Sequence, residues 1–203
     1  MNELGLFPLP LVLLPTERVP LHIFEERYRE LIGECLESDR EFGLIYADDD
    51  GMRDVGTRAR VTEVLARMPD GRMDILVEGR SRFRLLEITT GRGFQTGEVS
   101  PVEDEKDPSD SESIARAIGL FDRLRELTGS DLDVPDPDTA QLSFVLAGLV
   151  ELAPDDKLQL LRDVSERSRM SRVCELLERA LLTTQRVREA AERAVTNGRV
   201  HVE

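Results

Sequence analysis

The 203-residue sequence has no tryptophan, two cysteines, two histidines and only two lysines, Lys106 and Lys157, among 27 basic residues. Each scarcity closes a route. Cys35 and Cys174 fall in different predicted helices, no CxxC pair exists, and His22 and His201 have no ligand neighbours at metal spacing. Neither a metal site nor a disulfide framework is therefore expected, and the thiols read as buried and reduced. Aromatic residues make up 4% of the chain against 40% hydrophobic overall, so the core should be aliphatic. There is no G-x-S-x-G elbow, no H-E-x-x-H pair and no cysteine–histidine pair at a plausible catalytic spacing. Long apolar runs are missing too. Leu4–Tyr28 is densely apolar, but Pro8, Pro10, Pro15 and Pro20 interrupt it, and nothing reaches the roughly 18–20 residues a bilayer helix needs. Glu3 at the front argues against a secretory signal. The expectation is a folded cytoplasmic protein with no membrane association.

Acidic charge is abundant: 41 Asp and Glu give a net charge of −14. A field of that sign repels phosphate backbones and anionic membranes, which makes nucleic acid an unlikely partner. Solubility is the plain reading of the charge. With so many carboxylates some pair must lie close in space, so proximity alone does not indicate an acid/base dyad.

The first half reads as β-rich. Leu4–Phe7 and Leu11–Leu14 are predicted as short strands. Phe24–Glu37 is predicted as a helix whose buried stripe is Phe24, Tyr28, Leu31, Ile32, Cys35 and Leu36. Phe42–Ala47 is a strand. Thr57–Met68 and Met73–Glu78 form a hairpin around Pro69-Asp70-Gly71-Arg72. Gly79 breaks the line before Arg80–Thr89, and Phe94–Val102 is the last strand. The acidic run EDEKDPSDSE then reads as a solvated linker. Helices follow. Ser109-x-x-Glu112 and Asp138-x-x-Gln141 look like capping boxes, the second opening a buried helix Leu142–Ala153. Pro154-Asp155-Asp156 starts another helix. A long last one carries Val173, Leu176, Leu177, Ala180 and Leu181, weakens past Thr184, and stops at Asn197-Gly198.

Phe7-Pro8-Leu9, Val12-Leu13-Leu14-Pro15 and Pro20-Leu21-His22-Ile23-Phe24-Glu25 with Arg27-Tyr28 resemble the opening of the Lon N-terminal, substrate-binding domain. Val55-Gly56-Thr57 with Ala59 and Gly79-Arg80-Ser81-Arg82-Phe83 resemble its later steps, while Gly97-Glu98-Val99 keeps only the tail of a final strand that usually opens with Pro-Tyr and ends in Ala-Glu-Val. The chain departs from that pattern at Thr16, where glycine is usual, and at Glu26, where proline is usual. The resemblance covers roughly residues 4–183 and implies an α+β fold. An N-terminal PUA-like β pseudo-barrel (1–103) would carry one packed helix. An acidic linker (104–112) and a C-terminal α-helical bundle (113–203) would follow.

Lon-type ATP hydrolysis needs G-x-x-x-x-G-K-[ST], and these 203 residues contain no Gly-Lys pair. Lon-type proteolysis needs a serine activated by a desolvated lysine. Lys106 lies in the acidic run, and Lys157 opens a surface helix beside Asp155 and Asp156. No catalytic residue and no cofactor are expected.

Two sets of residues remain as candidates for partner binding. Arg80, Arg82 and Arg84 alternate along one strand face and could meet phosphate or an acidic peptide, although Asp74, Glu78 and Glu87 stand ready to neutralise them. Leu9, Leu11 and Leu13 alternate with Pro10, Val12 and Leu14, so both faces of that segment are apolar. One face must fill the barrel; the other packs on the helical half or lies open as a groove. His22 reads as a brace for the strand-to-helix turn. The expected function is non-catalytic recognition of polypeptide segments or of a protein partner. The alternative is an RNA-binding PUA-like module, and a small-ligand site between the halves has no residue to mark it.

Overall fold

Alternating residues in the first half assemble into a sheet that closes on itself. The computed structural model describes residues 3–89 and 91–197. Its strands are β1 (Glu3–Leu9), β2 (Arg18–Ile23), β3 (Phe42–Asp48), β4 (Gly51–Arg67), β5 (Met73–Thr89) and β6 (Thr96–Pro101). The order is β2-β5-β4-β3-β1-β6, and β6 pairs back onto β5. Only β1 and β3 run parallel, with Leu6 opposite Gly43. At 17 residues, β5 is long enough to carry β2 along its first part and β6 along its last.

Gly79 lies between those two stretches and does not break β5. The turn Leu14–Glu17 docks there instead. Thr16 N–H donates to the Gly79 carbonyl at 2.8 Å, and Gly79 N–H donates to Glu17 O at 2.9 Å. A Cβ on Gly79 would sit 2.1 Å from the Leu14 carbonyl oxygen, so the close approach requires glycine.

The chain from Leu11 to Leu14 is not a strand, although its alternation suggested one. The strand is β2, a few residues later, where Pro20 obscures the pattern. Proline is tolerated there because β2 pairs only with β5 and leaves one edge free.

Helix α1 (Glu26–Ser38) buries Tyr28, Leu31, Ile32 and Cys35 in the core of the sheet, with the Tyr28 ring 4.0 Å from that of Phe7. Phe24 does not extend that stripe. Glu25 is the N-cap, so Phe24 precedes the first turn, and it is 60% exposed.

The second half holds α2 (Ser111–Thr128), α3 (Leu142–Gly148), α4 (Pro154–Arg162) and α5 (Glu166–Asn197). Neither expected capping box forms. Asp110 caps α2 by accepting from Ser113 N–H at 2.8 Å. Gln141, in a left-handed conformation, makes no side-chain cap on α3. The carboxylate of Glu166 takes that role, accepting from Ser143 N–H at 3.0 Å and Ser143 Oγ at 2.7 Å. Helix α3 stops at Gly148 rather than Ala153. The expected stop at Asn197-Gly198, like His201, involves positions outside the described residues.

The acidic run is largely exposed, as expected of a linker, but it is also tied to the helical half. Glu105 N–H donates to Val164 O, Arg167 N–H donates to Asp107 O, and Asp104 is ion-paired with Arg82 and Arg169. The halves also share apolar surface: Val12, Leu14 and Val55 belong to the same buried cluster as Phe121, Phe144, Leu161 and Leu177.

Candidate polypeptide-binding groove

The alternating leucine segment is divided between two cores. Leu13 is buried in the core of the sheet, with Leu9 and Leu11 half-buried beside it, whereas Val12 and Leu14 enter the helical cluster. The Leu9–Leu14 segment thus seals the junction between the halves.

The three arginines have three different environments. Arg80 is exposed and pairs with Glu78 at 2.8 Å, beside a shallow polar hollow that includes Thr16 and Glu41. Arg84 is exposed and shares Asp54 with Arg162. Arg82 is 3% exposed and is not part of a solvated row. Its guanidinium donates to the carbonyls of Leu161 and Asp163 at 2.9 and 2.7 Å, and to Asp104. The helical half covers this stretch of the outer sheet face, which strand periodicity in the sequence could not reveal. Burial pushes the Glu78 carboxyl up, but hydrogen bonds from Arg18 and Arg80 overcome this and leave it below the usual carboxylate range.

His22 pairs through Nδ1 with Asp74 at 2.6 Å across β2 and β5, and its ring stacks on Phe24. Lys157 is not a surface lysine. Its ammonium lies 2.5 Å from Glu17 Oε1, with the two side chains only 13% and 9% exposed. Among the described residues no group of His, Cys, Asp and Glu could hold a metal ion, and no helix is long and apolar enough to cross a membrane.

The feature best suited to hold another chain lies in the helical half and was missed in the sequence. It is a groove of about 570 Å³ between α2, α5 and the segment from Leu149 to Ala153. Phe121 and Leu124 from α2, Leu149, Val150 and Leu152, and Leu176 and Ala180 from α5 supply its apolar surface. Arg125, Glu151, Asp156 and Arg179 bring charge to it, and Leu132, itself exposed, reaches it from the α2–α3 loop. The groove exists because α3 ends early: Leu149–Ala153 leaves the helix through a turn and a bend and reaches Pro154 without helix or strand structure. Expected as helix, these residues could not be recognised as a groove wall; the available signal was Gly148 followed by Pro154.

A closed mixed sheet is joined through a shared core to a helical half that carries an open apolar groove. The model of the ATP-dependent protease La (LON) substrate-binding domain matches residues 3–179, and the chain belongs to that family. It is 28% identical over 185 residues to the Lon protease of Anaeromyxobacter dehalogenans and 27% identical over 185 residues to Lon protease 2 of Myxococcus xanthus. Those alignments cover 83% of this chain but 22% of each relative, so the chain spans about a fifth of the length of those proteins. Among solved structures, the Lon N-terminal domain protein from Xanthomonas campestris superposes with a TM-score of 0.67 at 28% identity, covering 85% of this chain and 97% of that one. The N-terminal domain of Mycobacterium avium complex Lon protease gives the same TM-score at 19% identity, covering 87% and 98%, a likeness of fold.

Proposed function

We propose that the protein is a non-catalytic polypeptide-recognition module of the cytoplasm, acting on exposed apolar segments of client chains as a substrate-recognition or adaptor unit. The observation that carries this reading is the open groove between α2, α5 and Leu149–Ala153, in a chain of the substrate-binding family. Its apolar floor offers the burial that drives peptide capture. The closed sheet supports a PUA-like pseudo-barrel as the platform, with the four helices as a bundle docked on it. The missing Gly-Lys pair and the engagement of Lys157 by Glu17 support a role without ATP hydrolysis or proteolysis in these residues. The RNA-binding alternative draws little support, because Arg80, Arg82 and Arg84 each already have a carboxylate partner.

The test is fluorescence anisotropy with a labelled, permanently unfolded model protein. Saturable binding is expected, and it should be lost in Thr183→Trp, which fills the groove from an exposed position on α5. Absence of saturable binding overturns the reading, and binding that Thr183→Trp leaves intact moves it away from the groove.

A further inference from the structure

Both ends of the groove wall Leu149–Ala153 converge on one side chain of the sheet half. At the near end, α3 closes with Leu149 N–H donating to Leu146 O at 3.3 Å, directly after Gly148. Gly148 lies against Glu17: a Cβ built on it would be 3.3 Å from Glu17 Cβ, tighter than ordinary van der Waals contact. At the far end, Ala153 is the N-cap of α4, and its carbonyl accepts from Lys157 N–H at 3.1 Å. The Lys157 ammonium in turn lies 2.5 Å from Glu17 Oε1.

Glu17 is itself held in place. Its second carboxylate oxygen, Oε2, accepts from Leu14 N–H at 2.9 Å, and its carbonyl accepts from Gly79 N–H of β5 at 2.9 Å. Because Glu17 and Lys157 are both largely buried, solvent and salt screen their attraction little. Among the described residues, the groove lining includes neither of them, so they act on the wall from behind. Asp156, which does line the groove, pairs with Arg172 and Arg179 of α5 at 2.9 and 3.3 Å. Those pairs hold the α4 end of the wall; Glu17 holds both ends.

Resting on the reading of the groove as a polypeptide site, we infer that Glu17 is a positioning residue for it. Through Gly148 and Lys157 it sets the place of the Leu149–Ala153 wall, and with it the width of the groove. A wall fixed at both ends binds without first having to be ordered, which preserves affinity. The sheet half then contributes to recognition without touching the bound chain, because the turn that carries Glu17 is docked on β5.

The test compares Glu17→Gln, Lys157→Met and the double variant in the full chain, with the labelled unfolded model protein as probe. Each single change leaves one buried charge unpaired, so stability should fall along with affinity. The double variant has no such charge, and its urea midpoint should return close to that of the unaltered chain. Its affinity should not return, staying about tenfold weaker because the wall is no longer tied to the sheet half. Amide exchange at positions 149 and 157, which report the two ends of the wall, should be about tenfold faster in the double variant, while the β4–β5 hairpin keeps its protection.

A double variant that binds as tightly as the unaltered chain shows the pair to be a structural contact alone and overturns the inference. Unchanged exchange at both positions overturns it as well. Absence of saturable binding by the unaltered chain overturns the reading of the groove instead, and exchange at the two positions then decides whether Glu17 holds the wall.

Discussion

Arg169 holds Asp104 in a two-pronged contact, Nη1 to Oδ1 at 2.7 Å and Nη2 to Oδ2 at 2.6 Å. The arginine belongs to α5 and the aspartate to the segment leaving the sheet, while Arg82 of β5 reaches the same carboxylate. Both guanidinium groups lie over the ring of Phe144, at 5.3 and 4.3 Å. Sheet, connection and helices are therefore joined at one buried point.

Removing Arg169 leaves Asp104 and Glu166 short of a partner in a largely buried setting. Arg169→Met should destabilise the protein by about 3–5 kcal/mol, the usual scale for breaking a buried ion pair on one side. Arg169→Lys should recover little, because a single ammonium does not reproduce the fork. Urea denaturation checks both; a midpoint unchanged in Arg169→Met would show the network to be energetically inert.

Burial pushes the Asp104 carboxyl up, but the hydrogen bond and charge of Arg169, with the charge of Arg82, hold it below the usual carboxylate range. Arg162 and Arg84 act in the same way on Asp54, against the same effect of burial. A carboxylate whose pKa is lower folded than unfolded contributes stability that is present above about pH 4 and is lost as pH falls through its folded pKa. Stability should therefore drop on acidification below about pH 4, and less steeply in Asp104→Asn, as thermal melts at stepped pH would record.

Thr16 has φ 69°, the third residue of a turn in which Glu17 N–H meets Leu14 O and Pro15 comes second. Glycine suits such a position, whereas a β-branched residue there is strained by about 1–2 kcal/mol. The extra freedom of glycine in the unfolded chain offsets part of that relief. Thr16→Gly should stabilise by about 0.5–1 kcal/mol in chemical denaturation, and a loss of stability would contradict the strain.

At Gly79 the opposite holds. The atom that an added Cβ would meet is a main-chain carbonyl, which has no flexible end to swing away. Gly79→Ala should destabilise by about 2–3 kcal/mol through displacement of the Leu14–Glu17 turn. The melting temperature should fall, with loss of amide-exchange protection concentrated at Thr16 and Gly79.

Burial, reinforced by Glu34, pushes the Cys35 thiol up to about 11, and burial also raises Cys174. Both are free and buried. Near neutral pH neither should react with a disulfide reagent until the protein unfolds. Rapid labelling of the native chain at either position would refute that environment.

Much of the β half was legible because local patterns carry it. Alternation and the turn residues Pro69–Arg72 define the β4–β5 hairpin, and the 3.6-residue stripe of Tyr28, Leu31, Ile32 and Cys35 defines α1. Proline at position 154 marks the start of α4. Where two periodicities met, the pattern failed. Leu11–Leu14 looked like a strand because it faces two different cores, and Phe24 looked buried because it continues a stripe whose helix begins two residues later.

The sequence by itself determined the family, the α+β division and the aliphatic cores, since these follow from the order of residue types along the chain. Only the tertiary structure decided the environments of the charges and the position of the groove. Arg82 and Arg84 are two residues apart on one strand, yet one is buried and the other exposed, because the helical half covers only the first. The groove depends on the end of α3 at Gly148 and on the approach of α2 to α5, residues far apart in the chain whose proximity comes from packing.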